Sequence, residues 1–449
     1  MKLSFFGGAK SVTGANYLLE VQGEKILVDC GLHQGSYYAE RENYEPFPYV
    51  PKDVTAVFVT HAHVDHIGRL PKLFREGFRG FIYSTPATKD FAEILLLDSH
   101  HILSEEAERE KRSELYSVGD VREVMKMWRE VEYHKPIQYG NFRVEFLDAG
   151  HVLGSSIVKI YAEGKVIVFS GDLGNYPAPI VQRTEVVDAA DYCVVESTYG
   201  DRVHEATGER QEMLEDALED IVLAGGVMLI PIFALERTQE ILFHLHELFE
   251  EGRVPKIPVF VDSPLAIKIT AVYKKYEDYF NKDTYHMVRH ADDILNFPGL
   301  RVTLTTEESK EINAVPAPKV ILAGSGMSQG GRILHHERRY LSDPKNMILF
   351  VGHQAKGSLG RRILDGAITV KIFGETVPVR CKKRVLGAYS AHADQPRLLE
   401  WLKPMRMRLK KVFVVQGEEE ASSALAQKIR DELAVTAVVP ESGETVTLD

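Results

Sequence analysis

The 449-residue sequence predicts an α/β protein built from two domains. Three observations carry that expectation. The length exceeds what one hydrophobic core usually fills. Short β-branched runs in the first two hundred residues end on glycine-flanked polar turns. From residue 209 onward, strand and helix patterns alternate, as in a parallel sheet covered by helices.

Residues 3–6, 16–21 and 25–30 read as strands, the last two joined around Gly23 as a hairpin. The apolar run 54–59 predicts a further strand, and Thr60-His61-Ala62-His63-Val64-Asp65-His66 follows it directly. Alternate side chains of an extended chain share a face, so His61 and His63 can point the same way. A helix opening near Asp65 would turn Asp65 and His66 to the other side. Four such groups this close cannot easily wrap one tetrahedral ion, which favours two neighbouring metals.

Helices are expected over 67–76, despite Pro71, and over 86–111 and 118–131, with a strand at 81–85. Strand 142–147 leads to His151 among small residues, where a ring can approach a metal closely. Strand 165–170 ends in Gly171-Asp172, and strand 192–195 ends on Glu196. The alternating second half runs helix 209–223, strand 227–230, helix 235–251, strand 257–261 and helix 265–280. Strands 319–322 and 347–351 follow, with helices from Gly331 and Ser358. Two glycine-rich turns, 324–332 and 352–362, each join a strand to a helix and present backbone N–H groups with arginine, a combination that suits phosphate and equally a plain tight turn.

A net charge of −11 argues against a general polyanion binder, so nucleic-acid contact would need a locally basic groove. The three cysteines are far apart and form no framework, as in a reducing compartment. No signal-peptide pattern and no membrane-length apolar run is present, and a cytoplasmic protein is expected.

The run His61-x-His63-x-Asp65-His66 at a strand end resembles the signature of the metallo-β-lactamase superfamily, with His151 and Asp172 following in the superfamily's order. Glu196-Ser197-Thr198-Tyr199-Gly200-Asp201-Arg202 and Ser390-Ala391-His392-Ala393-Asp394 resemble motifs of its β-CASP branch, nucleases that process nucleic acids. The resemblance covers essentially the whole chain and is similar to the bacterial relatives of the polyadenylation-factor endonuclease subunit. It implies a metallo-β-lactamase αββα sandwich, residues 1–204 and 385–449, with an inserted β-CASP α/β domain, residues 205–384.

The resemblance also implies roles. His61, His63 and His151 would hold one zinc ion, Asp65 and His66 a second, and Asp172 would bridge the two, with Asp29 orienting the ligands from behind. Asp65, Glu196 and His392 would be catalytic, the glutamate holding His392 so that it protonates the departing oxygen. Ser325, Gly326, Arg332, Lys356, Ser358, Arg361 and Arg362 would position the phosphate backbone. In the RNA-cleaving members a histidine before Gly-Glu completes the second metal site; here it is Gln416, a poorer zinc ligand, so the second ion should bind more loosely.

DNA-processing members lack that histidine too. The implied function is zinc-dependent hydrolysis of single-stranded RNA, endonucleolytic with a 5′-exonuclease mode. Two alternatives stand beside it: a DNA nuclease of the β-CASP repair type, and a catalytically inactive RNA-processing scaffold, which the retained ligands disfavour. Homodimers occur among relatives, but no seam is legible here.

Overall fold

A computed structural model describes the chain except residues 36, 205–209, 290–292, 353, 355 and 356. Two compact units result, Met1–Val203 with Ala391–Asp449, and His204–Ser390.

The first unit contains two seven-stranded sheets. One runs in the order Thr445–Thr447, Lys2–Phe5, Tyr17–Val21, Glu24–Val28, Val54–Phe58, Phe81–Ser84, Trp128–Glu130. The other runs Ala437–Val438, Lys411–Val415, Tyr192–Glu196, Lys165–Phe169, Ser156–Ala162, Phe142–Asp148, Ile137–Tyr139. Side chains of both sheets meet in one core: Phe5 packs on Phe413 at 5.2 Å between ring centroids, Tyr17 on Phe169 at 6.0 Å and Phe58 on Phe146 at 6.4 Å. Large aromatics filling the layer between two sheets account for much of the burial that stabilises such a sandwich. On its other face the second sheet buries Val412, Val414 and Val195 against Leu398, Trp401 and Leu425 of helices Gln395–Leu402 and Glu419–Lys428. Val195 and Val194 thus face opposite layers, as the period of two requires.

Helix Pro86–Glu110 starts at Thr85, whose hydroxyl caps the Thr88 N–H, and helix Val118–Met127 starts on a capping box between Ser117 and Asp120. Two expectations need correction here. The helix expected over 118–131 ends at Met127, because Trp128–Glu130 pairs in parallel with Phe81–Ser84 and the Trp128 indole donates to Ser84 Oγ at 2.8 Å. The single helix expected over 67–76 is two, Val64–Ile67 and Leu70–Arg75; Pro71 sits in the first turn of the second, where its missing N–H costs no helical bond.

The second unit is organised on a six-stranded, all-parallel sheet in the order Leu300–Val302, Val259–Asp262, Lys319–Ala323, Val227–Pro231, Met347–Phe350, Lys382–Val385. Its four inner strands are near-continuously apolar, as burial on both faces requires, while the edge strands Leu300–Val302 and Lys382–Val385 are more polar and exposed. The turns after Lys319–Ala323 and Met347–Phe350 lie at carboxyl ends of strands flanking Val227–Pro231, where open parallel sheets commonly place ligands.

Candidate metal centre

The carboxyl ends of strands from both sheets of the first unit deliver the polar residues. Val54–Phe58 leads to His61 and His63, Phe142–Asp148 to His151, Lys165–Phe169 to Asp172, and Lys411–Val415 to Gln416. The two rims are joined by the Ser156 N–H, which donates to Thr60 O at 2.7 Å. Close approach needs glycine at two places. A Cβ on Gly31 would lie 1.5 Å from Asp65 O, and one on Gly174 would lie 1.8 Å from Gly150 O.

Four atoms converge on one point. His61 Nε2 is 3.0 Å from His63 Nδ1, His63 Nδ1 is 3.3 Å from His151 Nε2, and Asp172 Oδ2 lies 3.4 Å from His61 Nε2 and 3.5 Å from His151 Nε2. A tetrahedron of ligands at zinc distances has edges of about 3.3–3.4 Å. Four of the six edges lie near that length, and all four atoms fall within 4.8 Å of one another, so the set can close on a zinc ion.

The tautomers agree with that use. Thr60 gives its hydroxyl hydrogen to Asp29 Oδ2 at 2.8 Å, leaving its oxygen to accept from His61 Nδ1 at 3.1 Å, so the His61 Nε2 lone pair faces inward. His151 Nδ1 faces Ala391 O at 3.4 Å, with the same result for its Nε2. Burial and the neighbouring His61 keep His63 well below 6.5, and burial and His392 do the same for His151, so both rings are neutral as ligands must be. Burial alone would raise Asp172, but His66, His61 and His392 hold it well below the usual carboxylate range.

Asp29, in the left-handed region at φ 60, sits behind the cluster and is fully buried. Its Oδ1 accepts from the Thr60 N–H at 2.8 Å, and its Oδ2 from His66 Nδ1 at 2.8 Å. His66 Nε2 then faces Asp172 Oδ1 at 3.4 Å and Asp65 Oδ2 at 3.9 Å, forming a second position beside the first. Burial would lower the His66 pKa, yet Asp172 and Asp29 carry it well above 6.5, so this point calls for positive charge. Gln416 reaches it as well, with Nε2 2.8 Å from Asp172 Oδ1 and 3.0 Å from His66 Nε2. As placed, it presents N–H groups rather than its oxygen.

His392 stands on the other side of Asp172, with Nδ1 3.1 Å from Glu196 Oε2 and 3.8 Å from Asp172 Oδ2. Burial would lower its pKa, but Glu196 and Asp172 together lift it to about 9. Glu196 is itself fixed: its Oε1 accepts the Leu173 N–H at 2.6 Å.

The glycine-rich turns of the second unit are built differently from the expectation. The Ser325 hydroxyl accepts from the N–H groups of Gln329 and Gly330 at 3.0 and 3.2 Å, so these amides are satisfied within the turn. Gly326 O accepts from Gln354 Nε2 at 2.8 Å, and Met327 O from the Gly360 N–H at 3.2 Å, tying the two turns together. Arg332 is engaged elsewhere than on a phosphate: it donates to Asp262 Oδ1 at 2.7 Å, Thr303 O at 3.0 Å and Leu304 O at 2.8 Å. His336 donates to the same Asp262 at 2.6 Å. Ser358 caps helix Leu359–Leu364 through the Arg361 N–H, Arg361 pairs with Asp365 at 2.8 Å, and Arg362 is exposed. Lys356 lies outside the described residues.

Sequence reasoning missed Tyr17 and Thr60 as supports of the centre. Tyr17 lies within an ordinary buried strand and has no motif around it; Thr60, directly before His61, was the more legible of the two.

Three family descriptions match in chain order. "Metallo-beta-lactamase superfamily domain" matches residues 18–189, "Beta-Casp domain" residues 238–363, and "Zn-dependent metallo-hydrolase RNA specificity domain" residues 376–440. A curated protein of Thermus thermophilus, Ribonuclease TTHA0252, is 40% identical over 95% of both chains. The chain belongs to the β-CASP family of the metallo-β-lactamase superfamily.

Other β-CASP relatives agree. An RNase J-like protein of Methanocaldococcus jannaschii is 30% identical over 98% of both chains. Transcription termination factor FttA of Methanosarcina mazei is 30% identical over 100% of this chain and 72% of its own length. A crystal structure from Enterococcus faecalis, of a protein of unknown function, shares the fold with a TM-score of 0.57 at 13% identity, over 100% of this chain and 99% of its own. Among the described residues no helix is long and apolar enough to cross a membrane.

Proposed function

We propose that this β-CASP protein is a zinc-dependent ribonuclease that hydrolyses phosphodiester bonds of single-stranded RNA, cutting internally and also from 5′ ends. The observation that carries the reading is the convergence of His61, His63, His151 and Asp172, whose ligand atoms lie within 4.8 Å of one another, with His392 braced by Glu196 beside Asp172. The family description that includes RNA specificity, and a relative named a ribonuclease, support RNA as substrate.

When bound, zinc polarises a phosphoryl oxygen and lowers the pKa of water, so that a nucleophile exists at neutral pH. The chain's own residues do the rest. Thr60 and Ala391 face the Nδ1 atoms of His61 and His151, which leaves Nε2 of each ring for the ion, and His63 presents Nδ1. Asp172 stays ionised and offers one oxygen to each position. His392, with a pKa of about 9, carries a proton on each nitrogen near neutral pH. Glu196 holds the Nδ1 proton, which leaves Nε2–H to donate to the departing oxygen. Asp65 would orient water at the second position.

A cavity of about 490 Å³ shares Leu173 and Ala393, the residues that follow Asp172 and His392. Arg183, Arg397, Lys403 and Arg406 line it with Tyr176 and Trp401; Arg183 pairs with Glu400 and Arg397 with Asp394, so Lys403 and Arg406 carry the basic excess. Such cations suit the phosphates of a single strand, which they contact without reading sequence. In a chain of net charge −11, this locally basic surface is the place for such contact.

The inactive-scaffold alternative requires loss of ligands that the structure brings together. The test is cleavage of matched single-stranded RNA and DNA, each labelled at one end and internally. Zinc-dependent cutting of RNA in preference to DNA is expected; equal cutting of both, or none, would contradict the reading.

A further inference from the structure

We infer that Gln416 closes the second metal position, so that this chain holds one zinc tightly and binds a second only at the expense of an existing hydrogen-bond network. The inference rests on the first position being the zinc site described above.

At the second position, Asp172 Oδ1 presents its lone pairs 3.4 Å from His66 Nε2, while His66 commits its Nδ1–H to Asp29. Gln416 Nε2 lies 2.8 Å from this oxygen and 3.0 Å from His66 Nε2. A carboxylate oxygen only accepts, so the amide facing it is selected for its NH2 end. The opposite end agrees: Oε1 faces the Tyr17 hydroxyl at 3.4 Å. The tyrosine hydroxyl has one hydrogen to give and gives it here, which fixes the amide the same way round.

An amide NH2 cannot ligate a metal, because its lone pair is delocalised into the carbonyl and its hydrogens occupy the approach. The partial positive charge of those hydrogens stands where the cation would stand. Seating a second zinc requires the amide to turn over, losing the N–H bond to Asp172 and the Tyr17 hydrogen bond to Oε1. Little else about the residue can move. Gln416 is 2% exposed and in the left-handed region at φ 49, its N–H donates to Gly8 O at 2.6 Å, and its carbonyl accepts from Thr198 Oγ1 at 3.1 Å. Gly8 packs so closely that a Cβ there would lie 3.2 Å from Gln416 Cγ. An imidazole or carboxylate at this place would offer a lone pair where the amide offers hydrogens.

The test is zinc stoichiometry. The full-length protein and its Gln416→His and Gln416→Glu variants are equilibrated with excess zinc, freed of unbound metal by gel filtration, and analysed by mass spectrometry, with thermal melts confirming the fold. The wild type is expected to retain about one zinc per chain and each folded variant about two, with a second-ion affinity raised about 10–100-fold. Two zinc ions retained by the wild type would overturn the inference and leave the first site intact. One zinc retained by the wild type and by both folded variants would also overturn it, since Gln416 would not be what excludes the second ion. A wild type retaining none would overturn the reading of the first site, and this inference with it.

Discussion

His392 and Glu196 form a braced pair: Nδ1 lies 3.1 Å from Oε2, while Oε1 of the same carboxylate takes the N–H of Leu173, the residue after Asp172. The acid and the metal-facing carboxylate are therefore held by one short stretch of backbone. Replacing His392 with alanine should lower single-turnover RNA cleavage by about 10²–10⁴-fold. Glu196→Gln should cost less, about 10-fold or more, because the ring remains but loses the charge that raises its pKa. Both variants should retain zinc and a native circular-dichroism spectrum. Full-rate cleavage by His392→Ala would remove its role.

Asp29 accepts from Thr60 N, Thr60 Oγ1 and His66 Nδ1, all at 2.8 Å. Asparagine keeps one acceptor oxygen and sets an NH2 group against donors, so Asp29→Asn should destabilise the fold by about 1–3 kcal/mol. Its urea midpoint should drop accordingly, and zinc retention should weaken with it. An unchanged midpoint with unchanged zinc content would show that Asp29 does not hold the ligands in place.

Much of this centre was legible before the structure because its residues lie on a strand end and on glycine turns, where spacing dictates direction. His61 and His63 follow a five-residue strand, and Asp172 follows Gly171, so their convergence needs only the sandwich to close. Less legible were residues whose partners are distant in sequence. Tyr17 and Gln416 are 399 residues apart, and Arg332 meets Asp262 across 70. A glycine-rich turn with arginine looks the same in sequence whether the guanidinium faces a phosphate or a buried aspartate. The strand Trp128–Glu130 was read as helix because a short segment carries no period that separates the two.

Glu337 provides a pH test within the second unit. Burial raises its carboxyl from 4.5 to about 8, against the opposing hydrogen bond from Ser328. Between those values the unfolded chain binds fewer protons at this residue than the folded one, so its contribution to stability falls as pH rises from about 4.5 to about 8. The upper slope is about 1.4 kcal/mol per pH unit. Glu337→Gln removes the titration and keeps a neutral partner for Ser328. Urea midpoints of the full chain at pH 5, 6.5 and 8 should show the wild type losing ground to the variant with each step; parallel profiles would contradict the assignment.

The cavity lined by Lys403 and Arg406 supplies a test of RNA contact that leaves the metal ligands alone. Reversing both charges, Lys403→Glu with Arg406→Glu, should weaken binding of a single-stranded RNA by about 10-fold at low salt and flatten the dependence of log K on log salt. Fluorescence anisotropy across a salt series measures both. Unchanged affinity and slope would place the RNA elsewhere.

The central claim is a zinc ion held by His61, His63, His151 and Asp172 that makes the chain a ribonuclease. The most direct measurement is cleavage of one labelled single-stranded RNA by protein stripped with chelator, before and after zinc is restored, with His151→Ala alongside. The wild type should be inactive when stripped and regain cleavage with zinc, while His151→Ala should regain none. Equal cleavage by stripped and zinc-restored wild type, or full recovery by the variant, would contradict it.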